Sequence, residues 1–171
     1  MAEPTGSNRN PNETMQALAG KYLTFKLAEE VYGIEILKVQ EIIGMMKVTP
    51  VPRTPDFIRG VINLRGRIIP VVELRRNFGM ERAVDNEKTC IIVVQIRNGA
   101  ASVTMGLLVD EVSEVLDVAG QQIEPAPSFG AAVDTTFIKG IGKVGQKVVI
   151  LLDIDRVLGS DELAAVTQVG R

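Results

Sequence analysis

Chemistry in this chain would have to come from its carboxylates. Asp153 and Asp155, in the run LLDID, stand two apart, so on an extended strand both fall on one face. Such a pair binds a divalent cation or shares a proton once a third ligand or a base joins it. Asp110, Glu111 and Glu114 form a second acidic cluster. The chain has no histidine, and so lacks the commonest general base and the commonest metal ligand. With no histidine and one cysteine, a zinc site is disfavoured. Cys90 opens the apolar run CIIVV and reads as a small buried hydrophobe, not a nucleophile. Gly140, Gly142 and Gly145 lack the Lys-Ser/Thr element and the following helix of a phosphate loop, so they read as turn glycines. Both acidic clusters are expected to be solvated acids at strand ends. No metal, cofactor or catalytic site is predicted.

Arg65 is a different kind of candidate. It lies in NLRGR, between apolar strands, where a guanidinium can fork onto a carboxylate, and Glu41 is the candidate mate. Two readings stand: a contact for a partner, or an ordinary turn arginine. Just upstream, GIEILKVQEIIGMM carries Ile34, Ile36, Leu37, Val39, Ile42, Ile43, Met45 and Met46. One strand face cannot bury them all. Either the segment turns, or some of these side chains face a second unit or a partner, although most are expected in a core.

The elements that position these residues occur twice. Phe57 to Arg75, FIRGVINLRGRIIPVVELR, aligns without a gap on the segment beginning at Phe137, FIKGIGKVGQKVVILLDI. Gly60 matches Gly140, Arg67 matches Lys147, and Glu73 matches Asp153; Arg65 falls opposite Gly145, within the segment that differs. Upstream, Gly33, Val39, Glu41 and Ile42 match Gly106, Val112, Glu114 and Val115, and Pro50 and Pro52 match Pro125 and Pro127. Each copy is roughly 70 residues of about five short, turn-punctuated strands, which predicts a mainly β protein of two small barrels packed face to face. Pro70 inside RIIPVVEL argues for an edge position or a bulge. The polar stretch Asn77–Lys88 is the expected boundary or flexible loop. SDELAAVTQV predicts a short C-terminal helix capped by Ser160.

Composition narrows the partners. Of 171 residues, 46% are hydrophobic and 4% aromatic, with no Trp, and the net charge is −2. Few rings and no basic run disfavour nucleic-acid binding. The polar N-terminus has no apolar core of a signal peptide, and no apolar run reaches membrane-spanning length, so a soluble cytosolic protein is expected, with residues 1–20 a flexible tail.

The motifs YGIEILKVQEI, TPDFIRGVINLRGRIIPVVELR, GLLVDEVSEVL, IEPAP and FIKGIG, in this order, resemble the CheW-type chemotaxis coupling proteins over about residues 21–163. The resemblance implies two five-stranded SH3-like barrels on a shared apolar interface, the first about 21–84 and the second about 88–158, with a short helix and tail at 160–171. It implies a non-enzymatic, cofactor-free adaptor that couples transmembrane chemoreceptors to the histidine kinase CheA, cytoplasmic and recruited to receptor arrays, without inserting into the membrane. Val39, Glu41, Ile42, Arg65, Val112 and Val115 would line the groove for the receptor's cytoplasmic tip. Phe129 would make a ring-forming contact with the kinase's regulatory domain, although Glu124 and Ser128 depart there from the commonest family pattern. An alternative is a double-barrel interaction module of another two-component system.

Overall fold

The computed structural model describes residues 17–98, 100–127, 136–158 and 160–169. Its strands are β1 (Gly20–Leu27), β2 (Glu30–Glu35), β3 (Val39–Gly44), β4 (Ile58–Leu64), β5 (Arg67–Glu73), β6 (Cys90–Asn98), β7 (Ala101–Val109), β8 (Glu111–Val118), β9 (Ile123–Glu124), β10 (Ile138–Val144) and β11 (Lys147–Leu152). A short helix α1 (Leu74–Asn77) follows β5, and α2 (Ser160–Val169) is the expected C-terminal helix.

The protein is mainly β, in two sheets. A six-stranded sheet runs β8-β1-β2-β11-β10-β9, and a five-stranded sheet runs β3-β6-β7-β5-β4. Exchanging each strand for its duplicate (β1 with β6, β2 with β7, β3 with β8, β4 with β10, β5 with β11) turns one order into the other. The correspondence holds residue by residue. Leu151 pairs with Gly33 in parallel, as Val71 pairs with Gly106. The extra strand β9 pairs Glu124 with Ile141, where the other sheet has the isolated bridge Thr49–Val61. The Glu73 N–H donates to the Phe57 carbonyl at 2.7 Å, and the Asp153 N–H donates to the Phe137 carbonyl at 2.7 Å.

The sheets do not divide where the sequence suggested. A first unit at 21–84 and a second at 88–158 would place β1 and β2 with β3–β5, yet hairpin β1–β2 sits between β8 and β11. Hairpin β6–β7 lies in the other sheet, flanked by β3 and β5. The Asn77–Lys88 segment joins β5 to β6 inside one sheet and is no boundary. The chain changes sheet at the 3₁₀ turn Ile36–Lys38 and at Asp110, both short and set between strands of like composition. Nothing in local propensity marks such an exchange.

The repeated F-I-(R/K)-G motif makes a bulge. Pairing shifts register between Ile58 and Gly60, and again between Ile138 and Gly140. At Gly60 (φ +148°) a Cβ would lie 2.1 Å from the Thr49 carbonyl oxygen, so only glycine fits. Pro70 is not on an edge strand, because β5 lies between β7 and β4. Its ladder with β7 covers only Val71–Glu73, however, so at Pro70 no β7 partner asks for an N–H.

Three cores result. Ile62, Ile69, Val71, Ile91, Val93 and Leu108 fill the five-stranded sheet, and Tyr22, Val118, Ile123, Val149 and Leu151 fill the six-stranded one. A larger cluster takes Leu23, Phe25, Leu27 and Ile34 from one sheet and Ile92, Val94, Met105 and Leu107 from the other, joined by Leu163 and Val166 of α2. This is the expected shared interface. Phe25, Tyr32, Phe78 and Phe137 form a chain of ring contacts in it, 5.9, 5.6 and 5.5 Å between successive centroids. Rings packed in this way are unavailable for stacking bases.

Candidate protein interaction surface

Arg65 sits at the tip of the β4–β5 hairpin. Its φ is 52° and that of Gly66 is 86°, the left-handed pair of a type I′ turn. Asn63 steadies the turn, its Oδ1 accepting the Gly66 N–H at 2.9 Å. From there the guanidinium forks onto Glu41: Nη1 donates to Oε2 at 3.3 Å and Nη2 donates to Oε1. Glu41 belongs to β3, one edge of the five-stranded sheet, and β4 is the other edge. The expected mate is therefore the observed one, and the pair draws the two edges together. The hydrogen bond and the charge of Glu41 raise the Arg65 pKa further, so the guanidinium stays charged. The Arg65 side chain remains 71% exposed.

The other sheet repeats the seam with different chemistry. Glu114, the duplicate of Glu41, meets Lys147 Nζ at 3.6 Å. The turn there carries Gly145 at φ 63°, opposite Arg65, and Gln146 is not left-handed. The acid is kept and the base has moved. Sequence reasoning missed this pair, although the repeat alignment already placed Glu114 on Glu41.

The apolar candidates divide in a similar way. Val39 on β3 and Val112 on β8 both pack against the shared core. Ile42 and Val115, three residues further along the same strands, are 43% and 48% exposed. Ile43, Met45 and Met46 pack into the core of the five-stranded sheet, as most of that run was expected to. Thus Val39, Glu41, Ile42 and Arg65 cluster on one sheet's seam, and Val112 and Val115 take the equivalent places on the other. Phe129 lies outside the described residues.

Asp110, Asp153 and Asp155 are tied down, whereas Glu114 stays half exposed as expected of a solvated acid. Asp155 Oδ2 accepts from Lys38 Nζ at 2.8 Å, and Oδ1 accepts from the Arg97 N–H at 2.8 Å. Partial burial pushes its pKa up, but those hydrogen bonds and the charges of Lys38 and Lys139 outweigh burial and hold it below the ordinary value. Asp153 Oδ1 accepts the Asp155 N–H. Asp110 accepts from Arg75 Nε at 2.8 Å and from the Ala28 N–H at 2.7 Å. Glu111 faces Lys26 and Lys88, each at 3.9 Å. These acids fasten strand ends and crossovers. Among the described residues no group of three His, Cys, Asp or Glu could hold a metal. Cys90 is half-buried and packs against the shared core, its Sγ donating to the Lys88 carbonyl.

The buried Glu73 was also missed. It is 3% exposed and accepts from Arg59 Nη1 at 2.9 Å and from Arg82 Nε at 2.7 Å. Two cations compensate one buried charge and staple the segment after α1 onto β5.

Taken together, the fold and this surface define a duplicated two-sheet β module with half-exposed apolar side chains and a forked ion pair at its surface. The CheW-like domain family model matches residues 21–162. The chemotaxis protein CheW of Klebsiella aerogenes is 42% identical over 163 residues, covering 92% of this chain and 96% of its own. That of Rhizobium meliloti is 33% identical, covering 84% and 90%. The crystal structure of the scaffolding protein TtCheW from Thermoanaerobacter tengcongensis superposes with a TM-score of 0.74 at 37% identity, covering 84% of this chain and 95% of that one. The chain belongs to the CheW-like family of chemotaxis proteins. No helix among the described residues is long and apolar enough to cross a membrane.

Proposed function

We propose that this protein is a non-enzymatic adaptor that couples transmembrane chemoreceptors to the histidine kinase CheA. Its family membership supports a chemotaxis role. The observation that carries the coupling role is the exposed Arg65 fork onto Glu41, with half-exposed Ile42 next along β3, on a seam whose duplicate keeps the acid but not the arginine. Val39, Glu41, Ile42 and Arg65 on one seam, with Val112 and Val115 on the other, take the receptor's helical tip. The kinase's regulatory domain is contacted through Phe129. The protein is then held at receptor arrays by its partners and not by insertion.

The test is co-sedimentation of receptor-bearing membranes with purified CheA, with and without this protein. Kinase in the pellet and its ATP turnover should both rise only when the protein is present. Unchanged pellets and turnover with folded protein overturn the proposal.

A further inference from the structure

Hairpin β1–β2 occupies the middle of the six-stranded sheet. Without it β8 is parted from β11, because β1 pairs only β8 and β2 pairs only β11 outside the hairpin. The hairpin also supplies Phe25, Leu27 and Ile34 to the shared core. Towards β3 its one covalent link is the 3₁₀ turn Ile36–Lys38. Its duplicate, β6–β7, is held covalently at both ends inside the described structure.

The link is held at its ends, where Ile36 packs against the shared core and Lys38 Nζ donates to Asp155 Oδ2 at 2.8 Å, but not at its middle residue. At the equivalent crossover, Asp110 is gripped by Arg75 through Nε and Nη2 and by the Ala28 N–H. The residue in Asp110's place here is Leu37, 94% exposed. The turn has no side-chain cap. Beside Leu37 runs an open groove lined in part by Leu18, Tyr22 and Ile36. An apolar side chain left in solvent at a crossover, next to apolar surface, has no covering partner among the described residues.

We propose that the chain exchanges hairpin β1–β2 with a second copy of itself, with Ile36–Lys38 as the hinge. The incoming hairpin fits the gap between β8 and β11 and remakes every pairing of the closed monomer. Only the hinge changes, so its chemistry sets the balance between monomer and dimer. In the exchanged dimer the two hinges run past each other, and Leu37 of each copy is covered by the other.

The test uses the full chain with Cys90→Ser, Lys21→Cys and Asp117→Cys. Lys21 and Asp117 are paired across β1 and β8, so a short bismaleimide joins them. In a monomer, or in a dimer of unexchanged chains, the link is within one chain. In an exchanged dimer it joins two chains and survives denaturing electrophoresis. Protein refolded at high concentration should give the interchain product. Deleting Leu37, which shortens the hinge, should raise that product severalfold, and Leu37→Asp should lower it severalfold. Intrachain product alone, from both the parent and the deletion at high concentration, overturns the proposal, whether light scattering shows monomer or dimer.

Discussion

Glu41 and Arg65 lie 24 residues apart in sequence and join the two edges of one sheet through a forked pair. The contact spans the hairpin tip where the two copies of the repeat differ most. Arg65 also holds a left-handed backbone (φ 52°) that its counterpart Gly145 (φ 63°) adopts freely. An arginine kept where glycine is the easier residue points to its side chain.

That tension makes a prediction. Arg65→Gly and Arg65→Ala both remove the fork, but only glycine relieves the backbone. The glycine variant should be the more stable by about 1 kcal/mol, which for a chain of this size is a melting point about 2–4 °C higher. Both should lose receptor control of the kinase in the co-sedimentation assay, with far-UV spectra unchanged. Full coupling by the glycine variant would show that partners do not read the guanidinium.

The exchange of hairpins makes a second prediction. Residues 17–87 and 88–169, expressed separately, should each lack dispersed amide resonances, because β1–β2 and β6–β7 have their neighbours in the other fragment. Mixed, the two should regain the dispersion of the intact chain. The cut falls between Glu87 and Lys88, both exposed. A dispersed spectrum from 17–87 alone would mean that the first half is a folding unit in its own right.

How far the sequence revealed this structure depends on the kind of interaction involved. The gapless match of Phe57–Arg75 with its second copy implied the same local backbone in both, and the bulges at Gly60 and Gly140 are equal, but Gly140 lies in a strand and not in the turn expected for it. Glu41 is the candidate mate of Arg65 in the sequence and its partner in the structure. Which half supplies which strand was not legible. Val/Ile-rich strands pair equally well with any neighbour of like pattern, and the choice is made by crossovers of one to three residues. Asp110 and Asp155 were read as solvated for the same reason: their partners Arg75 and Lys38 become neighbours only through that exchange.

The last prediction concerns Tyr22. It is 1% exposed, and its hydroxyl donates to the Leu18 carbonyl at 2.6 Å. Burial, helped by the negative charge of Glu35, pushes its pKa from 10.0 up to about 12. The folded state therefore keeps a proton that the unfolded chain releases first. Tyr22 adds its full share of stability below pH 10, and that share fades as pH rises through the folded value of about 12. Melting temperature followed from pH 8 to 12 should fall along this limb. Tyr22→Phe gives up the hydrogen bond and lowers the plateau, but removes the ionisation, so its alkaline limb should be flatter than that of the parent. Equal slopes for the two proteins would assign the alkaline loss to other groups and leave Tyr22 a packing residue only.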